Sequence, residues 1–222
     1  MTSSPDVRSA NLERVSLSEQ ALAVIRQAMV SGEIRSGEIY SAAALASRLG
    51  VSNSPVREAM LTLVNEGLMV GVRNRGYQVV PITNSDMEEI QDLRLLLELP
   101  TMVGLAERHE ELDLDRFRRL ASQIVDAAQK GDITTYLEFD RDFHLGLTDL
   151  AKNARLTKLV SNLRDQTRLF GLYDLSERGS LSASAQEHLD ILAAIASGDV
   201  VETERLMRLH LGHITREWSG QD

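Results

Sequence analysis

The chain of 222 residues contains no cysteine. That excludes a disulfide framework, a thiolate zinc site, an iron–sulfur cluster and a cysteine nucleophile, so any metal must be held by nitrogen and oxygen. No stretch approaches the roughly 18 consecutive apolar residues of a membrane helix. The N-terminal segment MTSSPDVRSANLERVS lacks the basic start and apolar run of a secretory leader, and the expected compartment is the cytoplasm, with no membrane partner. What the chain does have is ample apolar material, 43% of its residues, enough for one large domain or two small ones.

A net charge of −9 argues against nucleic acid only if it is evenly spread, and it is not. Pro81 and the polar Thr83-Asn84-Ser85 interrupt the pattern after Ile82. Up to that point eight arginines face seven carboxylates, whereas beyond it 16 basic residues face 26 acidic ones. In the first part, Leu22, Val24, Ile25, Met29 and Val30 recur at helical spacing and predict a helix over 18–31, stopped by Ser31-Gly32. After a polar linker, a short helix over 42–49 ends at Gly50, and 51–53 form a turn. A further helix over 54–66 has Pro55 in its first turn and Gly67 at its end. Two short apolar segments, 68–72 and 77–80, flank Arg73-Asn74-Arg75-Gly76, a hairpin tip whose glycine supplies a positive φ. This order predicts a winged helix-turn-helix over 16–82, preceded by a flexible tail over 1–15. Arg57, near the start of the recognition helix, and Arg73 and Arg75, at the wing tip, fall where DNA would be.

The same residues carry a family resemblance. Ser31-Gly32-Glu33-Ile34 with Gly37, Leu45-Ala46, Leu49-Gly50-Val51-Ser52, Pro55-Val56-Arg57-Glu58-Ala59-Met60, Glu66-Gly67-Leu68 and Arg75-Gly76 resemble the DNA-binding domain of GntR-type transcriptional regulators. The resemblance implies DNA contact through Ser52, Asn53, Ser54 and Arg57 on the recognition helix and through Arg73, Arg75 and Gly76 on the wing. Two positions depart from the family pattern. Asn53 stands where members usually carry Arg, and Ala42-Ala43-Ala44 open a helix where many have a charged residue. Arg grips guanine through two hydrogen bonds while Asn suits adenine or phosphate, so the family's operator sequence does not transfer.

From Ser85 onward the pattern predicts six amphipathic helices and no strand, which makes the protein mainly α, with an antiparallel helical bundle over 83–222. The helices are expected over 85–108, 113–130, 132–151, 154–174, 180–197 and 199–218. Ser85-x-x-Glu88 is read as a capping box opening the first, and Pro100 is expected to kink it. Gly131 and Gly198 stop helices, and Asp132 and Asp199 sit where N-caps belong. Asp140 and His144, four apart, project from one face of one helix. His188 lies on the fifth helix, and His210 and His213 on the sixth. One carboxylate and three imidazoles from three helices can meet inside a bundle as a metal site, or each can be a solitary surface residue. Such a nitrogen-rich set suits zinc, nickel, iron or manganese. Asp142, two residues from both Asp140 and His144, points to the opposite face, and His109 is read as serving the C-terminal end of the first helix.

Phe139-Asp140-Arg141-Asp142-Phe143-His144-x-x-Leu147, Lys152-Asn153-x-x-Leu156, Glu187-His188-x-x-Ile191 with Ala194-Ile195 and Gly198-Asp199, and Met207-x-x-His210-Leu211 resemble the FCD effector-binding domain of FadR-like regulators. The resemblance implies that Asp140, His144, His188 and His210 hold a divalent transition metal, zinc foremost. Coordination positions left open would suit a small carboxylate or hydroxy acid as effector. Arg94 offers a second anchor through its guanidinium fork or is spent on an ion pair with Glu98. Asn153 caps the next helix or reaches the pocket, and His213 lies beside it. The resemblance also implies a homodimer through the helical domain, reading a roughly palindromic double-stranded operator. The function expected is a transcriptional regulator whose operator binding responds to that effector, and no enzyme. The alternatives are a sensor for which the metal is the signal and a helical metalloenzyme, for which no clearly placed general base remains.

Overall fold

The computed structural model describes residues 15–30, 32–177 and 181–218, with side chains throughout except at 30, 168–177 and 213–218. All but the last residue of the tail expected over 1–15 therefore lies outside the described residues.

Two hydrophobic cores organise the chain. In α1 (Leu17–Val30), Ala21, Ile25 and Met29 recur every four residues and are buried. They share a core with Val56, Ala59, Met60 and Leu63 of α3 (Asn53–Asn65). Between them α2 (Ala42–Leu49) opens at Ser41, whose hydroxyl accepts from the Ala44 N–H at 3.1 Å, and closes on the left-handed Gly50. The strands β2 (Met69–Val72) and β3 (Gly76–Val79) pair antiparallel, from Met69 opposite Val79 to Val72 opposite Gly76.

A third strand, β1 (Ile39–Tyr40), pairs with the other edge of β3 and gives the order β1-β3-β2. The sequence reading had placed a linker here, because two residues are too few to show a period. β1 explains the glycine of the wing. Gly76 sits at φ 133°, and a Cβ there would lie 2.3 Å from the Tyr40 carbonyl oxygen. Asn74 shares the positive-φ duty at the hairpin tip, with φ 59°.

The second core belongs to α4 (Asn84–Glu107), α5 (Asp115–Lys130), α6 (Ile133–Asp149), α7 (Ala154–Glu177), α8 (Leu181–Ser197) and α9 (Val200–Trp218). No strand occurs here among the described residues. The capping box of α4 is two residues earlier than expected. Thr83 is the N-cap, its hydroxyl accepting from the Asp86 N–H at 3.2 Å, while the Asp86 carboxylate accepts from the Thr83 N–H at 2.7 Å. Met87, Ile90 and Arg94, three and four residues apart, share the buried face of α4. The helix continues through Pro100; the carbonyl its missing N–H would have met is that of Leu96, a residue 70% exposed and open to water. His109 Nδ1 donates to the Ala106 carbonyl at 3.0 Å in the 3-10 turn that follows. Asp132 and Asp199 cap as expected, accepting from Thr135 N–H (3.1 Å) and Glu202 N–H (2.9 Å). No described helix is long and apolar enough to cross a membrane.

Gly76→Ala is expected to cost about 1–3 kcal/mol, since it combines an unfavourable φ with a backbone clash. Thermal or urea unfolding checks this: the winged domain should melt earlier than in the parent, while the helical domain is unaffected.

Candidate metal centre and DNA-facing surface

Helix α6 brings Asp140 and His144 to one face, α8 brings His188 and α9 brings His210, and all four side chains are buried. One ligand atom from each lies within 4.8 Å of the others. His144 Nε2 is 3.1 Å from both His188 Nε2 and His210 Nε2. Asp140 Oδ1 is 3.0 Å from His188 Nε2 and 3.6 Å from His144 Nε2. Ligands bound about 2.0–2.1 Å from a tetrahedral ion stand about 3.3 Å apart, so this spacing fits a zinc-sized ion.

The far nitrogens of the rings show which tautomers are present. His188 Nδ1 lies 3.0 Å from the Ser184 carbonyl and 3.3 Å from that of Ala185, and carbonyls can only accept. Nδ1 therefore carries a hydrogen, which leaves Nε2, beside Asp140 Oδ1, as the nitrogen that can face a metal. His210 is fixed in the same way by Glu187, whose Oε2 accepts from Nδ1 at 2.9 Å. His144 Nδ1 is buried with no hydrogen bond, 3.9 Å from Glu98 Oε2. Burial, helped by the Arg164 charge, holds His144 well below the ordinary histidine range. Burial also pushes His210 down to about 4. Three Nε2 atoms thus turn toward one another beside a carboxylate oxygen, a donor set that suits a divalent ion of borderline softness.

A buried charge network adjoins this cluster. Arg164 of α7 donates to Asp140 Oδ2 at 2.8 Å and to Glu98 Oε2 at 2.9 Å, and Arg94 Nε donates to Glu98 Oε1 at 2.6 Å. Burial tends to raise the Glu98 pKa, but Arg94 and Arg164 outweigh it and keep the carboxyl below its usual range. Two guanidinium groups thus face two carboxylates. Phe143 packs edge-on against His144 and His188, with ring centres 5.3 and 5.1 Å away.

The residues singled out from sequence divide clearly. Asp140, His144, His188 and His210 come together. Arg94 adopts the ion-pair alternative with Glu98 and reaches the cluster through it. Asn153 is exposed and caps α7, its Oδ1 accepting from the Leu156 N–H at 3.2 Å, so it does not join the cluster. Asp142 is exposed. The His213 side chain lies outside the described residues. Sequence reasoning missed Arg164, Glu187 and the bridging role of Glu98. Glu187 had a local signal, since it precedes His188 within the quoted motif; Arg164 had none.

Ser52, Asn53, Ser54 and Arg57 are all exposed at the N-terminal end of α3, and Arg73 and Arg75 are exposed at the wing tip. None of the three arginines pairs with a carboxylate among the described residues. Gly76, grouped with the DNA contacts from sequence, is half-buried against β1, which gives it a packing duty.

Known families match both parts. Residues 17–79 match the bacterial regulatory proteins of the gntR family, and residues 89–213 match the FCD domain. The chain is 29% identical over 191 residues to an HTH-type transcriptional regulator from an unstable DNA locus of Streptomyces ambofaciens, covering 84% of this chain and 78% of that protein. It is 27% identical over 213 residues to the HTH-type transcriptional regulator LutR of Bacillus subtilis, covering 86% of this chain and 95% of the relative. Among solved structures, Escherichia coli McbR/YncC superposes with a TM-score of 0.79 at 24% identity, over 93% of this chain and 99% of that one.

Acid should destabilise the metal-stripped protein through this cluster. Below about 6.5 the unfolded chain takes up a proton that His210 refuses until about pH 4, and burial holds His144 below its ordinary range in the same direction. The melting temperature of EDTA-treated protein is therefore expected to fall as pH drops from 6.5 toward 4, and His210→Gln should flatten that slope. Scanning calorimetry across this range measures it.

Proposed function

The chain belongs to the GntR family of bacterial regulatory proteins and carries an FCD domain, and from that premise we propose how this regulator works. Asp140, His144, His188 and His210 hold a divalent transition metal, zinc in the first instance. A small carboxylate or hydroxy acid binds at or beside the ion and alters operator affinity. The observation that carries this reading is the convergence of four buried ligand atoms at metal-ligand spacing, with a hydrogen-bond acceptor fixing the tautomer of His188 and of His210.

Charge supports the effector class. Asp140, Glu98 and Glu187 set three carboxylates against Arg94 and Arg164 around the cluster, so a divalent ion would leave an excess of one positive charge that an organic anion offsets. Arg94 Nε is spent on Glu98, while no described residue accepts from its two Nη groups, which leaves a fork for a carboxylate. The ion itself would act as a Lewis-acidic anchor for the anion. The chain's residues hold and orient it, and no hydrolytic step is assigned, because the family consists of transcription regulators and not enzymes.

DNA is met by the exposed turn at Ser52, Asn53, Ser54 and Arg57 and by Arg73 and Arg75 of the wing. A homodimer through the helical domain places two such surfaces on the half-sites of a roughly palindromic operator. An asparagine at position 53 gives that operator a different base preference from relatives with arginine there.

Elemental analysis and light scattering on protein purified without chelator test the proposal. The expected result is about one equivalent of transition metal per chain in a dimer; a chain that neither contains nor takes up metal refutes the site. His188→Ala is expected to lower zinc affinity roughly 100-fold or more, and Glu187→Ala about 10–100-fold through loss of the His210 partner. Arg57→Ala is expected to weaken operator binding about tenfold or more with no change in melting temperature. Gel-shift titration on a selected operator measures that loss, and unchanged affinity would remove Arg57 from the interface.

A further inference from the structure

The seam between the two cores is made of polar contacts that centre on one turn of α7. Arg164 points into the charge network and binds Asp140 Oδ2. Its neighbour Asp165 faces the other way and pairs with Arg26 of α1. Gln166 Nε2 lies 3.4 Å from the Glu66 carbonyl at the C-cap of the recognition helix α3. Arg26 also holds the Glu66 carboxylate at 2.5 Å, so a single guanidinium joins the bundle to the end of the recognition helix. Helix α6 repeats the arrangement. Asp140 faces the imidazoles and Arg164, and the adjacent Arg141 turns outward to Asp165 (3.5 Å) and to the Ser161 hydroxyl (2.8 Å).

We propose that the turn Arg164–Asp165–Gln166 of α7 is the mechanical link by which occupancy of the Asp/His cluster sets the position of the recognition helix, with Arg26 as the receiving residue. This rests on the metal reading of that cluster. The two oxygens of Asp140 divide the work: Oδ1 faces the imidazoles and Oδ2 faces Arg164. An ion that fixes Oδ1 therefore fixes the partner of Arg164, and Asp165 is the next residue along the same rigid helix. The seam also contains unfilled space. Its third polar contact joins Gln27 to Thr134 at 3.0 Å, and beside the Arg26–Asp165 pair lies a cavity of about 400 Å³ lined by Glu19, Leu22, Arg26, Leu137, Arg141 and Asp165. Ionic contacts beside unfilled space, with Leu22 and Leu137 on its wall, leave room for a second arrangement that a close-packed interface would not.

Hydrogen–deuterium exchange on the full chain with and without zinc tests the link, with zinc affinity measured separately by chelator competition. In the parent, zinc is expected to slow exchange in α6, α8 and α9 and also to change it in α1 and α3. Asp165→Asn should keep the parent's zinc affinity and the slowed exchange around the cluster, while the response of α1 and α3 is lost. Arg26→Gln, which removes the other partner and leaves Asp165 with Arg141, should uncouple in the same way. A zinc response of α1 and α3 that persists in both variants overturns the link, as does a parent that binds zinc without any change in α1 and α3. A parent that takes up no zinc overturns the metal reading itself, and the link falls with it.

Discussion

The helical domain is arranged around the division of the Asp140 carboxylate between Arg164 and the imidazole cluster. A carboxylate buried in an apolar bundle costs several kcal/mol unless counter-charge and hydrogen bonds meet it. Arg164 supplies both on Oδ2 and so leaves Oδ1 to face His144 and His188. The same guanidinium reaches Glu98, which in turn holds Arg94. Three helices, α4, α6 and α7, are thereby tied by ionic contacts with directional geometry, where apolar packing alone would permit a slip by one turn. The histidines of α8 and α9 can converge on Oδ1 only because that frame holds it still. Phe143, packed against two of the rings, excludes water that would screen these contacts.

Much of this was legible in the sequence, for physical reasons that differ by element. The helices of the bundle announce themselves through apolar period and through caps such as Asp132 and Asp199. Asp140 and His144 are visible as a pair because four residues make one turn. His188 and His210 could be joined to them only through family resemblance, since the packing of α8 and α9 against α6 is set by contacts dispersed along whole helices. Arg164 and Glu98 were not legible as a pair. Charged residues on amphipathic helices ordinarily face water, and nothing local reveals that two of them, 66 positions apart, meet in the interior. The start of α4 was misplaced because Thr83-x-x-Asp86 and Ser85-x-x-Glu88 satisfy the same pattern. The reciprocal hydrogen bonds between Thr83 and Asp86 decide between them. β1 went unseen because it exists only through its pairing with β3.

The wing shows the same dependence at smaller scale. A glycine at the end of a hairpin invites the explanation that it supplies a positive φ, and Gly76 does so. Its closer constraint is the Tyr40 carbonyl, which leaves no room for a Cβ. Only glycine therefore fits directly after Arg75, where β3 runs against the Tyr40 backbone.

Charge asymmetry gives orientation its importance. The segment beyond Ile82 carries ten more acidic than basic residues, while the first 82 residues are close to neutral. The acidic bundle therefore disfavours phosphate as a whole, whereas the exposed Arg57, Arg73 and Arg75 favour it at the recognition helix and wing. At physiological ionic strength such forces fade over about 8 Å, so the acidic bundle matters to DNA only where it comes within roughly that distance. A small rotation at the polar seam between α1 and α7 can carry bundle carboxylates into or out of that range even if every base contact of the recognition helix is unchanged. In a protein built this way, operator affinity responds to domain orientation through electrostatics as well as through fit. A seam in which Asp165 already has two cationic partners, Arg26 and Arg141, is suited to that control, because one can be exchanged for the other without leaving the carboxylate unpaired.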